Sequence, residues 1–187
     1  SMAASMTMYT VGHSTRTWEE FVAILHAHGI RRVVDVRRYP GSRRHPHFSR
    51  ESLELSLREQ GIAYEHAAAL GGRRSPAPDS PNGAWRSASF RAYADYLATA
   101  DFENALAAVI AGADVPTALM CAEAVPWRCH RQLIADVLVA HGHEVLNILS
   151  ADRADAHRLN PDARVSGHGL VTYPAAAGDA AQESLFS

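Results

Sequence analysis

The sequence predicts a single three-layer α/β domain, in which a mostly parallel sheet of about five strands carries helices on both faces. Short β-prone runs alternate with amphipathic helical segments along the chain, which is the pattern of consecutive βαβ units. The length of 187 residues fits one domain of this class. Because 47% of the residues are apolar, the chain can build a hydrophobic core and is not expected to be disordered.

Five apolar or β-branched runs predict the strands. The second run, Val33-Val34-Asp35-Val36, has the character of a buried strand but carries a charge near its end. The runs cover residues 8–11, 33–36, 62–66, 117–121 and 144–149. Since a helical segment separates each run from the next, the strands are expected to lie parallel.

Capping residues and apolar spacing predict the helices between these strands. Thr17 and Glu20 have the spacing of a capping box before the first helix, and Ser49 can cap the second. Residues 90–110 form a longer helical stretch that is broken near residue 100. Asp101 is expected to cap the later half of that stretch.

No linker or shift in composition divides the chain, so residues 1–187 are expected to form one domain. Residues 1–7 are expected to be a tag or a disordered start, and residues 175–187 a frayed tail. No apolar run reaches the about 18 residues of a membrane span, and the first residues lack the regions of a signal peptide. Two cysteines make no disulfide framework in a chain of this length. A cytoplasmic location without membrane contact is therefore expected.

The distribution of charge indicates an anion-facing region. All 18 basic side chains are arginines, and the formal net charge of −2 excludes a protein that coats nucleic acid through its overall charge. Residues 31–74 nevertheless hold ten arginines and five acidic residues, whereas residues 101–187 hold five arginines and eleven acidic residues. A guanidinium group matches the geometry of phosphate and carboxylate. The predicted partners are therefore an anionic small molecule or a nucleic acid, while the oligomeric state stays open.

Polar residues follow three of the predicted strands at the point where each strand ends. Ligands of such sheets bind beyond the carboxyl ends of the strands, so these residues are candidates for one shared site. They are Gly12, His13, Ser14, Asp35, Arg37, Cys121 and Glu123. The loop after the second strand adds Arg43 and Arg44 as candidates for anion binding. For Asp35 and Arg37 the alternative is a structural ion pair.

The segment from Met120 to Arg131 has the strongest site character. A strand ends at Cys121, and the last helix is predicted from residue 127 or 128 to residue 140. A helix N-terminus attracts anions and favours a thiolate. The catalytic candidates are Cys121, His130 and Glu123, the last as general acid or base, and Cys129 and Arg131 are candidates for anion binding. The alternatives are two buried structural thiols and an ion pair between Glu123 and Arg131.

A zinc site is a further alternative for the two cysteines. Cys121, Cys129 and His130 could supply ligands, but seven residues separate the cysteines, whereas zinc knuckles have two to four. The sequence has no second cysteine pair. No metal and no cofactor are therefore expected.

Several of these blocks together resemble the domain-of-unknown-function 488 family. The matching blocks are Tyr9-Thr10-Val11-Gly12-His13-Ser14, Val34-Asp35-Val36-Arg37 with Pro40 and Ser42-Arg43, Leu70-Gly71-Gly72, residues 169–174, and above all Cys121-x-Glu123 followed by Cys129-His130-Arg131. The resemblance extends over nearly the whole chain. It implies a compact α/β domain and carries no settled activity.

A more distant resemblance links the strand, Cys121, the following loop and Arg128 to the active sites of rhodaneses and cysteine phosphatases. In those sites a loop of backbone N–H groups binds an anion beside a thiolate. Here six residues rather than five separate Cys121 from Arg128, and Pro126 removes one N–H donor. Glu123 within the loop would also repel a dianion, so phosphatase chemistry is not expected.

Three functions fit these observations. The first is an enzyme, a hydrolase or a transferase, acting on a nucleotide-like, phosphorylated or nucleic-acid substrate in an arginine-rich pocket. The second is a nucleic-acid-binding module without catalysis, since aromatic residues lie among the arginines of residues 31–74. The third is a redox or sulfur-transfer protein that uses Cys121 and Cys129. The sequence leaves open which of these the protein performs and whether it is an enzyme.

Overall fold

Six strands form one sheet in the computed structural model, which describes residues 4–41, 44–72 and 74–176. They are β1 (Thr7–Gly12), β2 (Arg32–Asp35), β3 (Ala63–His66), β4 (Thr117–Cys121), β5 (Glu144–Ser150) and β6 (Arg153–Ala156). Their order is β3-β2-β4-β1-β5-β6, with β1 to β5 parallel and β6 antiparallel to β5. Two further short strands, β7 (Arg164–Val165) and β8 (Val171–Thr172), pair as a separate hairpin.

Helices cover both faces of the sheet, which confirms the predicted three-layer α/β domain. The helices are α1 (Trp18–Ala27), α2 (Arg50–Glu59), α3 (Ala88–Tyr96), α4 (Ala100–Ala111) and α5 (Arg131–Ala140). Apolar residues of α1 and α2 form one core with Val33 and Met120 of the sheet. Those of α3, α4 and α5 form a second core with Val34 and Leu119. Within the described residues, none of the helices combines the length and the apolar character needed to cross a membrane.

Two helix boundaries differ from the predicted ones. Thr99, rather than Asp101, caps α4, because its backbone is extended and its hydroxyl accepts a hydrogen bond from the N–H of Phe102 at 3.2 Å. Asp101 lies in the first turn of the helix instead. The helix α5 begins only at Arg131, because a 3-10 turn at Pro126–Arg128 and an extended Cys129 precede it.

The strand β6 is absent from the prediction because its sequence, Arg-Ala-Asp-Ala, contains no apolar run. It pairs with β5 at the sheet edge, and most of its side chains are exposed. At the other end of the chain, β1 includes Thr7, the last residue of the predicted tag or disordered start. Residues 1–3 and 177–187, which belong to that start and to the predicted tail, lie outside the described residues.

A buried carboxylate attaches the C-terminal part of the chain to α5. Asp136 is 1% exposed and accepts hydrogen bonds from the Tyr173 hydroxyl at 2.6 Å and from Nε2 of His157 at 2.8 Å. The N–H of Asn160 donates to the same carboxylate at 3.2 Å. On its other side, Nδ1 of His157 lies 3.1 Å from Nδ2 of Asn147 in β5. These contacts position residues 157–173 against the helix that begins at the candidate site.

We predict that Tyr173→Phe lowers the free energy of unfolding by about 1–3 kcal/mol, because one oxygen of the buried Asp136 carboxylate loses its hydrogen-bond donor. Urea denaturation followed by circular dichroism measures the change as a lower midpoint with an unchanged slope. Tyr9→Phe is the matched control, since it removes the same hydroxyl group from a half-buried tyrosine that packs against the other core. Equal midpoints for the two variants would contradict the prediction.

Candidate functional site

A cavity of about 370 Å³ lies at the carboxyl ends of β2 and β4. Its walls come from the loops after these strands, from the start of α3 and from the turn before α5. The lining residues are Arg37, Arg38, Tyr39, Gly72, Ser89, Phe90, Tyr93, Cys121, Ala122, Glu123, Arg128, Cys129 and His130. The structure thus brings Arg37, Cys121, Glu123, Cys129 and His130 of the predicted site residues to one cavity.

The end of β1 is packed against the loop that follows β4. The N–H groups of His13 and Ser14 donate to the carbonyl oxygens of Cys121 and Ala122, both at 2.9 Å. A Cβ atom on Gly12 would lie 1.6 Å from the carbonyl oxygen of Glu123. Gly12 is therefore required for the loop to cross the strand end, and this role is structural. Gly12, His13 and Ser14 are not among the described residues that line the cavity.

Arg131 is the centre of the site's hydrogen bonding, and its side chain is completely buried. Its Nη1 donates to Sγ of Cys121 at 2.5 Å and to the carbonyl oxygen of Glu123 at 2.6 Å. Its Nη2 and Nε donate, both at 3.3 Å, to the carbonyl oxygen of Ala124 and to the Thr10 hydroxyl. The Glu123 contact goes to the main chain, so it is not the ion pair considered from the sequence. Arg131 thus holds the loop and a sulfur atom rather than facing the cavity.

These contacts favour a thiolate at Cys121. Burial alone raises the pKa of this thiol, but the hydrogen bond from Cys129 and the charge of Arg131 outweigh burial and lower the pKa to about 7. The Cys121 residue is 2% exposed. A large fraction of Cys121 is consequently ionised at neutral pH, beside a buried cation that neutralises it.

Cys129 lies next to this thiolate as a free thiol. Its Sγ donates to Sγ of Cys121 at 2.7 Å and accepts a hydrogen bond from the N–H of Arg131 at 3.4 Å. Burial and the neighbouring Cys121 raise the pKa of Cys129 well above its ordinary value. Of the two sulfurs, Cys121 is therefore the one that ionises more readily, while Cys129 keeps its proton.

His130 is held as a neutral imidazole. Its Nε2 lies 3.1 Å from the carbonyl oxygens of Val36 and Leu70, so this nitrogen carries the proton. Its Nδ1 then presents a lone pair 3.6 Å from Sγ of Cys129. Burial is the largest cause that lowers the pKa of His130 to about 4. The ring packs 4.8 Å from that of Tyr93, and it is placed to accept a proton from Cys129.

Asp35 and Arg37 form a buried ion pair, which corresponds to the structural alternative considered for them. The Arg37 Nε and Nη2 atoms donate to the two carboxylate oxygens at 2.9 and 2.7 Å. Nη2 also donates to the carbonyl oxygen of Phe48 at 2.7 Å, and Nη1 lies 3.2 Å from Nε2 of His13. The Tyr64 hydroxyl donates to Asp35 at 2.6 Å. The guanidinium of Arg37 is thus committed to protein partners, although its edge reaches the cavity.

His13 belongs to the same structural cluster. Its Nδ1 donates to the carbonyl oxygen of Ser14 at 2.9 Å, and its ring stacks on that of Phe48 at a centroid distance of 4.5 Å. Burial is the largest cause that lowers the pKa of His13 to about 4. The ring is therefore neutral and positions the loop before α2.

The predicted arginine loop contributes little to the cavity among the described residues. Arg44 is exposed and does not line it, and Arg43 lies outside the described residues. Two further arginines, Arg38 and Arg128, line the cavity. Both lie in stretches that the sequence marks as cationic, although neither was among the candidate site residues.

Two residues of the aromatic wall of the cavity, Phe90 and Tyr93, were missed. Phe90 and Tyr93 come from α3, and Tyr39, which is 65% exposed, follows β2. In the sequence Phe90 and Tyr93 are indistinguishable from core residues of an amphipathic helix, so no local signal indicated them. Across the described ranges, no group of three or more His, Cys, Asp or Glu side chains is arranged to hold a metal ion.

A family model with the description "Domain of unknown function DUF488" matches residues 17–138 of the chain. This span is more than half of the chain and contains Cys121, Glu123, Cys129, His130 and Arg131. Parallel searches among curated proteins and among solved structures gave no match.

We predict that alkylation of Cys121 by iodoacetamide rises with pH around a midpoint of about 7, because only the thiolate reacts. Arg131→Gln removes the neighbouring charge and should slow this alkylation at pH 7 by about tenfold or more. Peptide mass spectrometry separates Cys121 from Cys129, and Arg58→Gln, at an exposed side chain of α2, is the charge-matched control. An unchanged midpoint in Arg131→Gln, in a variant with wild-type circular dichroism, would contradict the assigned role.

We also predict that stability falls as the pH is lowered from about 6.5 to about 4. The pKa values of His13 and His130 are about 4 in the folded protein, against an ordinary value of 6.5, so in this window the unfolded chain binds more protons. Each histidine contributes a slope of up to about 1.4 kcal/mol per pH unit. Urea titrations across the window measure how the free energy of unfolding changes with pH. The His130→Gln variant should lower this slope by the contribution of one histidine. The exposed His168→Gln should leave it unchanged; the same slope in both variants would refute the assignment.

Proposed function

The chain belongs to the DUF488 family, and we propose that this member is an enzyme, a transferase or a hydrolase, that acts on a small, anionic, nucleotide-like substrate in the cavity. Cys121 is the nucleophile, and Glu123 is the general acid and base. The observation that supports this proposal is the 2.5 Å contact between Sγ of Cys121 and the buried guanidinium of Arg131, at a cavity large enough for a ligand.

The composition of the cavity supports a substrate with a flat ring and an anionic group. Tyr39 and Phe90 supply aromatic surface on which a ring can stack. Arg38 and Arg128 supply guanidinium groups that match a phosphate or a carboxylate. A nucleotide combines both chemical features, which makes this class the first to test.

Glu123 is placed for proton transfer. Its main-chain carbonyl is held by Arg131, while its side chain is exposed at the cavity and makes no ion pair within the described residues. The Cys121 thiolate attacks an electrophilic carbon of the substrate, and Glu123 gives its proton to the departing group. Glu123 then accepts a proton from water or from an acceptor, which attacks the covalent intermediate and releases Cys121. A carbon electrophile suits the site better than phosphorus, because Glu123 and Pro126 lie in the loop that would have to bind a phosphoryl dianion.

The structure favours this enzyme over a nucleic-acid-binding module. Three arginines of residues 31–74 are committed to partners inside the protein: Arg32 pairs with Glu65 at 2.7 Å, Arg37 pairs with Asp35, and Arg74 lies over the Tyr96 ring. The cationic surface is therefore smaller than the arginine count implies. We place the enzyme in the cytoplasm, where a free thiol pair stays reduced.

We predict that a nucleoside monophosphate raises the melting temperature of the protein and protects Cys121 from iodoacetamide. The probes are the adenosine, guanosine, cytidine and uridine monophosphates. Arg128→Gln should weaken this binding by about tenfold, because it removes a cation from the cavity. Glu123→Gln should keep it, and Arg58→Gln is the control outside the cavity.

The chemical step is tested with the O-acetyl derivative of the monophosphate that binds. The wild type should release acetate through an acetyl-Cys121 intermediate that mass spectrometry detects. Glu123→Gln should lose at least about a hundredfold in acetate release while its melting temperature still responds to the ligand. If none of the four monophosphates binds, or if Cys121→Ser still releases acetate, the proposal is wrong. Binding that survives Glu123→Gln but collapses at high salt, without any turnover, would instead indicate the nucleic-acid-binding module.

A further inference from the structure

We infer that Cys121 and Cys129 form a dithiol that reduces a hydroperoxide, with Cys121 as the attacking sulfur and Cys129 as the sulfur that closes a disulfide with it. This activity goes beyond the proposed function, in which Cys121 attacks carbon and Cys129 has no step. The two activities share one thiolate, but the dithiol is measured without any substrate of the proposed enzyme.

The first observation that supports the inference is the short distance between the two sulfur atoms. They are 2.7 Å apart, and a disulfide requires about 2.05 Å, so only a small side-chain movement joins them. The seven residues between them form a short loop that Arg131 holds at the carbonyl oxygens of Glu123 and Ala124. The N–H of Arg131 also donates to Sγ of Cys129. One residue therefore keeps both sulfurs adjacent in the reduced protein.

The two sulfurs are also chemically different, as a dithiol of this kind requires. Nη1 of Arg131 donates to Cys121 and not to Cys129, so the positive charge stabilises a thiolate at Cys121. Cys129 keeps its proton while that thiolate is present, because a second negative charge so close is unfavourable. When Cys121 is oxidised to the neutral sulfenic acid this repulsion disappears. The Arg131 N–H and Nδ1 of His130 at 3.6 Å then favour ionisation of Cys129.

The reaction balances in two steps. The Cys121 thiolate attacks the distal oxygen of the hydroperoxide, the O–O bond breaks, and the alcohol or water leaves with one proton from solvent, which gives Cys121–SOH. Cys129 then attacks the Cys121 sulfur, its proton passes by way of Nδ1 of His130 to the departing hydroxide, and water leaves as the disulfide forms. The hydroperoxide has gained two electrons. An external dithiol returns them by thiol–disulfide exchange.

Access to the sulfurs favours a small oxidant. Both cysteines line the cavity, yet they are only 2% and 5% exposed. Hydrogen peroxide is small enough to reach a sulfur atom that exposes so little surface.

The experiment treats the reduced full-length chain with an equimolar amount of hydrogen peroxide and follows intact mass and the number of free thiols after denaturation. The wild type is expected to lose the mass of two hydrogen atoms and both thiols, and dithiothreitol should restore them. Cys129→Ser should stop at a sulfenic acid on Cys121, which dimedone traps, and should gain further oxygen with more peroxide. Cys121→Ser should form no intramolecular disulfide and should react at least about tenfold more slowly than the wild type, because Nη1 of Arg131 reaches the sulfur at position 121 and not that of Cys129.

Two outcomes would overturn the inference. One is a wild-type protein that gains oxygen at Cys121 without losing the second thiol. The other is a Cys121→Ser variant that consumes peroxide at the wild-type rate. Circular dichroism verifies that the serine variants are folded. The disulfide measurement in the wild type tests the inference even if a variant does not fold. If no disulfide forms but acetyl-Cys121 still forms from the acetylated nucleotide, the dithiol inference is wrong and the proposed enzyme stands. If the disulfide forms but no nucleotide binds, the proposed enzyme is wrong and the dithiol inference stands.

Discussion

The candidate site depends on the hydrogen bonds and the charge of the buried Arg131 guanidinium. A buried cation is costly unless its hydrogen-bonding groups are satisfied and a negative charge lies nearby. Here two main-chain carbonyls and a threonine hydroxyl take up its N–H groups, and Cys121 supplies the negative charge. The same contacts that satisfy Arg131 therefore fix the loop after β4, create a thiolate and bring Cys129 beside it. One side chain therefore both stabilises the fold of this loop and lowers the pKa of Cys121.

The sheet topology explains why this arrangement lies where it does. In the order β3-β2-β4-β1-β5-β6, the strand that carries Cys121 is flanked by β2 and β1. The loop after β4 thus packs against the end of β1, where Gly12 leaves the space that the crossing requires. On the other side it faces the residues after β2, where the Asp35–Arg37 pair holds the neighbouring loop. Buried contacts thus hold the site on both flanks, while α3 closes the cavity with aromatic residues.

The fold was largely predictable from the sequence, because alternation of short apolar runs and helical segments is a local pattern. The strand β6 was not predicted, because it forms by pairing with β5 and its own sequence has no apolar run. For the site, the strand-end rule brought Cys121 and Glu123 to the cavity, but it left open whether Arg37 faces a ligand or pairs with Asp35, which is only two residues away. Phe90 and Tyr93 reach the cavity through tertiary packing of α3, which no spacing along the chain encodes.

The hydrogen bonds behind Arg131 have a common direction. Arg131 donates to Thr10, whose hydroxyl donates to Asn147 at 2.6 Å; Asn147 donates to His157, and His157 donates to Asp136. Every dipole in this chain has its positive end toward the carboxylate and its negative end toward the guanidinium. Two opposite buried charges, too far apart for direct contact, are thereby coupled through aligned neutral groups. The Asp136 carboxylate consequently stabilises the charge of Arg131 through this chain even when Cys121 carries no charge.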